Sequence, residues 1–196
     1  NFYSQAYPSK FPKKILRFRN HNFKEFKNLD DSEWINLFGL FESKLLPKKK
    51  NLALRYHGHQ FRVYNPEIGD GRGFTIAQFY KNKNLYDLGT KGSGITRYSR
   101  NGDGKLTLKG GIREVLCSSY LDAIGLNTSQ SLSLIETGEG LYRNDEPSPT
   151  RSAVLVRRSN SHIRIGTFQR LKYLNEYDSI ELLLKHLGEN YFNNIK

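Results

Sequence analysis

The sequence predicts an α+β protein rich in antiparallel hairpins. Three observations lead there. The element order along the chain is strands, helix, strands, helix, which suits segregated rather than alternating layers. Short β-prone runs are separated by glycine- and asparagine-rich turns. The length, 196 residues, suffices for one domain with a sizeable core, or one domain plus an extension.

Residues 1–29 show no clean periodicity and read as an arm with short elements. Asp30-Asp31-Ser32-Glu33 supplies N-cap chemistry, and Trp34, Leu37, Phe38 and Phe41 recur at helical spacing. This predicts a helix near 31–45, stopped by Pro47, with its aromatic stripe in a core. From about 52 the character changes. Leu52-Ala53-Leu54 leads into Tyr56-His57-Gly58-His59-Gln60-Phe61. Val63 and Tyr64 then precede Pro66 and the turn Gly69-Asp70-Gly71-Arg72-Gly73. Residues 74–79 and 85–88 read as strands around the turn Asn82-Lys83-Asn84. A helix near 109–124 should face a core with Ile112, Val115, Leu116, Tyr120 and Ile124 and end at Gly125. Residues 131–136 and 153–158 read as strands. A last helix over 178–191 should point Ile180, Leu183, Leu184 and Leu187 inward. No internal repeat is visible. The expected division is a basic N-terminal extension with one helix, 1–50, and a second unit, 51–196.

Composition excludes several classes. Mean hydropathy is −0.66, and no apolar run approaches the ~18 residues that span a bilayer, so no membrane role is expected. The opening Asn1-Phe2-Tyr3-Ser4 lacks a secretory apolar stretch. Aromatics at 13% are too frequent for a disordered chain. A lone cysteine, Cys117, excludes an internal disulfide framework and a cysteine-based zinc cage, and points to a reducing compartment. On its helix it reads as a buried structural thiol rather than a nucleophile. The absence of methionine, even at position 1, suggests a piece of something longer. Net charge is +12, half of it in residues 1–50. Such a balance favours polyanionic partners, although Lys10, Lys13, Lys14 and the run Lys48-Lys49-Lys50 also read as solvated surface.

Chemistry concentrates in the glycines. Eleven of 17 lie between Gly58 and Gly111. Gly69-x-Gly71-x-Gly73 sits between two strands, so it is not a dinucleotide fingerprint, which needs a following helix. Gly104-Lys105-Leu106 is not a Walker A loop. A strand, glycine turn and strand is how kinase-type folds cover nucleotide phosphates, and also an ordinary hairpin. Lys91 ends the next strand, and Glu114 follows 23 residues later on the helix. A kinase-type site needs a strand lysine on the phosphates and a helix carboxylate to hold it. The spacing equally admits an unrelated surface pair. Arg157 and Arg164 flank Ser159-Asn160-Ser161-His162; two planar guanidiniums would suit a triphosphate, or decorate a hairpin. His57 and His59 lack a third ligand at suitable spacing, so a hydrogen-bonding role is favoured over metal.

These strings together resemble the selenoprotein O family. Tyr56-His57-Gly58-His59-Gln60-Phe61, Gly69-Asp70-Gly71-Arg72, Asp87-Leu88-Gly89-Thr90-Lys91-Gly92-Ser93-Gly94, Tyr98-Ser99-Arg100-Asn101-Gly102-Asp103-Gly104 and Ile112-Arg113-Glu114-Val115-Leu116-Cys117-Ser118 match in order, followed by the arginine segment from Arg157 to Gly166. The resemblance covers roughly residues 50–170. It implies a protein-kinase-like N-lobe, a twisted antiparallel sheet with a glutamate-bearing helix, here with an N-terminal extension and a C-terminal helix. It implies a protein adenylyltransferase that moves AMP from ATP to Ser, Thr or Tyr hydroxyls. Lys91 and Glu114 would be catalytic. Gly69, Gly71, Arg72, Lys91, Asp103, Gly104, Arg157 and Arg164 would bind the nucleotide. ATP and Mg²⁺ are the implied cofactors and proteins the substrates, in a monomer of the cytoplasm or the mitochondrion. His57 and Arg62 stand where the family favours a small residue and glycine, and Lys109-Gly110-Gly111 replaces Arg-Ser-Ser. The family's catalytic aspartate and magnesium ligands belong to a C-terminal lobe, and no His-Arg-Asp or Asp-Phe-Gly equivalent occurs here. No metal ligand is therefore expected in these residues, and the piece alone should be inactive. The rival reading is a basic nucleic-acid module using residues 1–50 and 97–113, with Phe2, Tyr3, Phe18, Phe23 and Phe26 stacking on bases. Another is a pseudoenzyme that binds ATP without turnover.

Overall fold

A computed structural model describes residues 2–42, 45–46, 51–60 and 62–192. Pro47, the run Lys48-Lys49-Lys50 and Phe61 lie outside these residues. Strands β1 (Tyr3–Ala6), β2 (Ile15–Arg19), β3 (Asn51–Gln60), β4 (Val63–Gly69), β5 (Thr75–Lys81), β6 (Asn84–Lys91), β7 (Leu106–Thr107), β8 (Gln130–Leu141) and β9 (Thr150–Ser159) build one sheet. Its order is β1-β3-β5-β6-β9-β8-β2, with β4 added on β3 and β7 on β9. Every pairing is antiparallel. The helices are α1 (Asp31–Ile35), α2 (Leu108–Ala123), α3 (Ile165–Tyr173) and α4 (Tyr177–Asn190). The α+β class with antiparallel hairpins is thus observed.

Local chemistry explains the main hairpin. Asn82 and Lys83 adopt φ of 50° and 67°, the paired left-handed geometry whose twist matches flanking antiparallel strands. Pro66 sits in β4, which pairs with β3 off the main strand order, an edge position where a missing N–H is tolerated.

The first helix starts as its sequence dictates. Asp30 accepts from the Glu33 amide at 2.8 Å, and Glu33 returns a bond to the Asp30 amide at 3.0 Å. It ends earlier than 45. After Ile35 the backbone widens into a π turn over Asn36–Leu40, and Phe41 takes a left-handed φ of 58°. Its aromatic stripe is core, as expected: Trp34, Leu37 and Phe38 are almost fully buried. Trp34 and Phe38 meet edge to face at 4.7 Å, and the indole N–H donates to Ser133 Oγ at 2.9 Å.

This aromatic core joins Phe11, Phe23, Trp34 and Phe38 with Ala53, Ile76, Leu132, Ile135 and Val156. The expected boundary near residue 50 therefore falls inside a shared core, and β1 and β2 are strands of the same sheet. Phe23 and Phe26, weighed as base-stacking platforms, are spent in this packing: Phe23 is buried, and Phe26 packs edge to face on Trp34, Phe38 and Phe79.

A second core of Leu106, Leu108, Val115, Leu134, Ala153 and Leu155 seats α2 on the sheet. Here the expected helix face is corrected. Leu108, Gly111 and Val115 face inward, whereas Ile112, Leu116, Tyr120 and Ile124 are 44–65% exposed. Gly111 is the cause. A Cβ there would stand 2.5 Å from Leu134 Cδ1, so the helix settles onto the sheet through its glycine side. On α4 only Leu183 is fully buried; Leu184, expected inward, is 56% exposed. The α3 helix has no counterpart in the sequence expectations.

Candidate functional site

The β6–β9 register sets the site. Gly89 pairs with Arg157 and Lys91 with Leu155, so Lys91 and Arg157 leave the same face of the sheet as diagonal neighbours. The α2 helix crosses that face and brings Glu114 between them. Glu114 Oε1 accepts from Lys91 Nζ, and Oε2 accepts from Arg157 Nη1 at 3.2 Å. All three side chains are about a quarter exposed. Burial pulls the Lys91 ammonium below its ordinary pKa, and the Glu114 carboxylate opposes that pull.

The glycine turn after β4 borders the same space. Its carbonyls are turned into the protein. Thr96 Oγ1 donates to Asp70 O at 2.6 Å, Ser99 Oγ to Gly71 O at 2.5 Å, and the Gly92 amide to Arg72 O at 2.6 Å. The amides of Gly71, Arg72 and Gly73 have no acceptor among the described residues. Amides without a protein acceptor are available to an anion in the cleft that these three residues line. Glycine is required here by packing: a Cβ on Gly73 would lie 2.0 Å from Thr90 O.

Two further ion pairs line the space. Arg164, immediately before α3, lies 3.4 Å from Asp70 Oδ1 and stacks over the Tyr56 ring at 4.7 Å. Burial raises the Asp70 carboxyl above its ordinary range despite Arg164, and raises the Tyr56 hydroxyl as well. Arg143 reaches Asp103 with both terminal nitrogens, at 2.8 and 3.0 Å. Although burial opposes it, this fork and the Lys105 amide hold Asp103 below the usual carboxylate range. Gly104 has φ 69° and packs on Gly94, where a Cβ would come within 2.2 Å of the carbonyl carbon.

Together these walls enclose a cleft of about 800 Å³. Gly69, Gly71, Arg72, Lys91, Asp103, Gly104, Arg157 and Arg164 all line it, and Glu114 joins through Lys91 and Arg157. Seven cations and two carboxylates line the cleft, and Glu114 and Glu139 pair with three of those cations, which leaves a positive potential there. Arg72 is exposed and has no carboxylate partner among the described residues. The arrangement can neutralise several adjacent negative charges. The described residues include no group of three or more His, Cys, Asp or Glu able to hold a metal.

Sequence reasoning missed Tyr56, Arg143 and the role of Asp87. Asp87, on β6, is buried and accepts from the His162 amide at 2.8 Å, Gln78 at 2.8 Å and the Tyr191 hydroxyl at 2.7 Å. These bonds hold it below its usual pKa although burial opposes them. They fix the turn between Arg157 and Arg164, and Gly89 leaves room for the His162 ring. A buried-type aspartate inside an apolar strand was the available signal. Arg143 offered none. Cys117, expected to be buried, is exposed, because α2 presents its other side to the sheet. His57 is a hydrogen-bonding residue, contacting the Tyr64 hydroxyl and Gln169 Oε1, the latter at 3.1 Å.

Comparison with known proteins follows the same lines. The family described as "Protein adenylyltransferase SelO" matches residues 1–196. A protein nucleotidyltransferase YdiU from Trichormus variabilis is 50% identical over 201 residues, covering 100% of this chain and 41% of the relative. One from Synechococcus elongatus is 52% identical, covering 94% and 38%. A more distant relative from Vibrio cholerae is 39% identical over 142 residues, covering 72% and 28%. The chain thus spans about two fifths of the length of the cyanobacterial relatives. No helix among the described residues is long and apolar enough to cross a membrane. With a match along its whole length, the chain belongs to the SelO family of nucleotidyltransferases.

Proposed function

We propose that residues 1–196 form the nucleotide-binding, kinase-N-lobe-like part of a protein adenylyltransferase that transfers AMP from ATP to hydroxyl side chains of proteins. The observation that carries this is the Lys91–Glu114–Arg157 constellation at a glycine-edged, strongly cationic cleft. In this reading the substrate hydroxyl oxygen attacks the α-phosphorus, the bond from that phosphorus to the β-phosphate oxygen breaks, and pyrophosphate leaves. The hydroxyl proton passes to a base outside these residues. Negative charge grows on the leaving pyrophosphate, and Lys91, Arg157 and Arg164 neutralise it from fixed positions. Glu114 keeps two of those cations charged and oriented. The free amides of Gly71, Arg72 and Gly73 hold the phosphates in line. Mg²⁺ bound with the nucleotide would add further neutralisation, its protein ligands lying outside residues 1–196.

The test is AMP transfer by the longer polypeptide that carries these residues. Lys91→Ala should lower the rate by about 10²-fold or more, by analogy with the loss of one oxyanion-hole donor, while the melting temperature stays within a few degrees. A wild-type rate in that variant contradicts the reading. Residues 1–196 alone should transfer no AMP, and detectable transfer would contradict the assignment of the base to another part of the protein. A longer polypeptide that binds ATP but never releases pyrophosphate would instead be a pseudoenzyme.

A further inference from the structure

Arg164 enters the cleft in a different way from Lys91 and Arg157. Its side chain is half exposed, and no helix carboxylate holds it. An arginine side chain loses rotamer freedom when it is ordered, so a guanidinium in this position needs something to fix it. Two groups contact it. The guanidinium carbon lies over the Tyr56 ring, 4.7 Å from its centroid. The Asp70 carboxylate lies at 3.4 Å, at the edge of hydrogen-bonding range. Asp70 is itself anchored: its Oδ2 accepts from the Leu54 amide at 3.0 Å, and its own amide donates to Leu54 O at 2.9 Å. Both groups are therefore locked to β3, and both line the cleft.

We infer that Tyr56 is a positioning residue whose ring, rather than its hydroxyl, holds the Arg164 guanidinium in the plane that meets the phosphate chain, with Asp70 steering one edge. A guanidinium seated over a ring face keeps its other N–H donors for an anion. This rests on the nucleotide reading above but assigns Tyr56 a role that reading does not contain. It also separates Tyr56 from the alternative use of a cleft aromatic, stacking on the base itself.

The experiment is calorimetric titration of the longer polypeptide that carries these residues with ATP, and separately with inorganic tripolyphosphate, which has no base. Tyr56→Phe should bind both within about twofold of wild type. Tyr56→Leu should weaken both by about five- to tenfold, the range a partly desolvated cation–π contact supports. Arg164→Ala should weaken both by at least as much. The double variant Tyr56→Leu/Arg164→Ala should bind like Arg164→Ala alone, because the ring acts only through the guanidinium. Arg164→Lys, on a half-exposed side chain with little risk to folding, should lose about as much as Tyr56→Leu, since an ammonium lacks the stacking plane. Additive losses in the double variant, a Tyr56→Leu loss seen with ATP but not with tripolyphosphate, or an Arg164→Lys variant equal to wild type would each overturn the inference. If the wild-type longer polypeptide binds neither titrant, the nucleotide reading itself fails, and the role assigned to Tyr56 fails with it.

Discussion

Glu114 and Glu136 make the same local arrangement in two regions. Glu114 joins Lys91 and Arg157. Glu136, on β8, joins Arg17 of β2 to Arg151 of β9, with contacts of 2.6 to 2.7 Å. The Glu136 carboxylate is the better satisfied of the two, and the Arg151 fork, followed by Arg17, holds its pKa down to about 2. Its arginines, 40% and 60% exposed, face solvent. The cations on Glu114 face a cleft with a glycine turn and four more arginines. A carboxylate between two cations is therefore no functional signal in itself. At Glu136 the ion pairs are complete and staple three strands; at Glu114 they leave cations aimed at space that an anion can fill.

This difference can be broken experimentally. The largest effect on stability should come from Glu136→Ala, about 2 kcal/mol in urea unfolding, because two arginines lose their partner at a nearly buried position. ATP affinity should not change. A loss of affinity there would erase the distinction between the two sites. The same glutamate gives a pH signature. Its folded pKa, about 2, lies below the ordinary 4.5, so its contribution is complete above about pH 4.5 and disappears as pH falls toward 2. After screening by solvent around the exposed arginines, about 1–2 kcal/mol should be lost across that window. Glu136→Gln should flatten that part of the profile, and an unchanged slope would assign it to other carboxylates. Glu114→Gln should reverse the pattern: about tenfold weaker ATP binding, or about 1.4 kcal/mol, with little change in unfolding free energy. The smallest contrast concerns the two sides of α2. Val115→Ala should cost about 1 kcal/mol or somewhat more and Leu116→Ala less than about 0.5. Equal costs would mean that the Leu116 side is covered.

How much of this was legible in sequence depended on which interaction decided each feature. Local rules carried the Asp30–Glu33 capping box, the Asn82-Lys83 turn and the strands around it. The meeting of Lys91 with Glu114 was suggested by element order, and the β6–β9 register with α2 laid across it brings the two together. The orientation of α2 was misread because apolar counting follows Ile112, Leu116 and Tyr120, while the close approach is made at Gly111, a residue with no side chain to count. The incorporation of β1 and β2 depends on pairing with β3 and β8, far along the chain, and short strands carry no periodic trace of such partners. Arg143 reaches Asp103 across 40 residues of sequence, a contact set by the path of the β8–β9 connection. Tyr56 was visible only as one residue of a family string; its stacking on Arg164 depends on where α3 begins.

In the proposed reading Lys91, held by Glu114 at the cleft, grips a triphosphate. The decisive experiment is calorimetric titration of ATP into the longer polypeptide that carries these residues, wild type against Lys91→Ala with matched melting temperatures. Wild type should show saturable one-to-one binding and the variant a loss of at least tenfold. Equal binding by both proteins would contradict that reading.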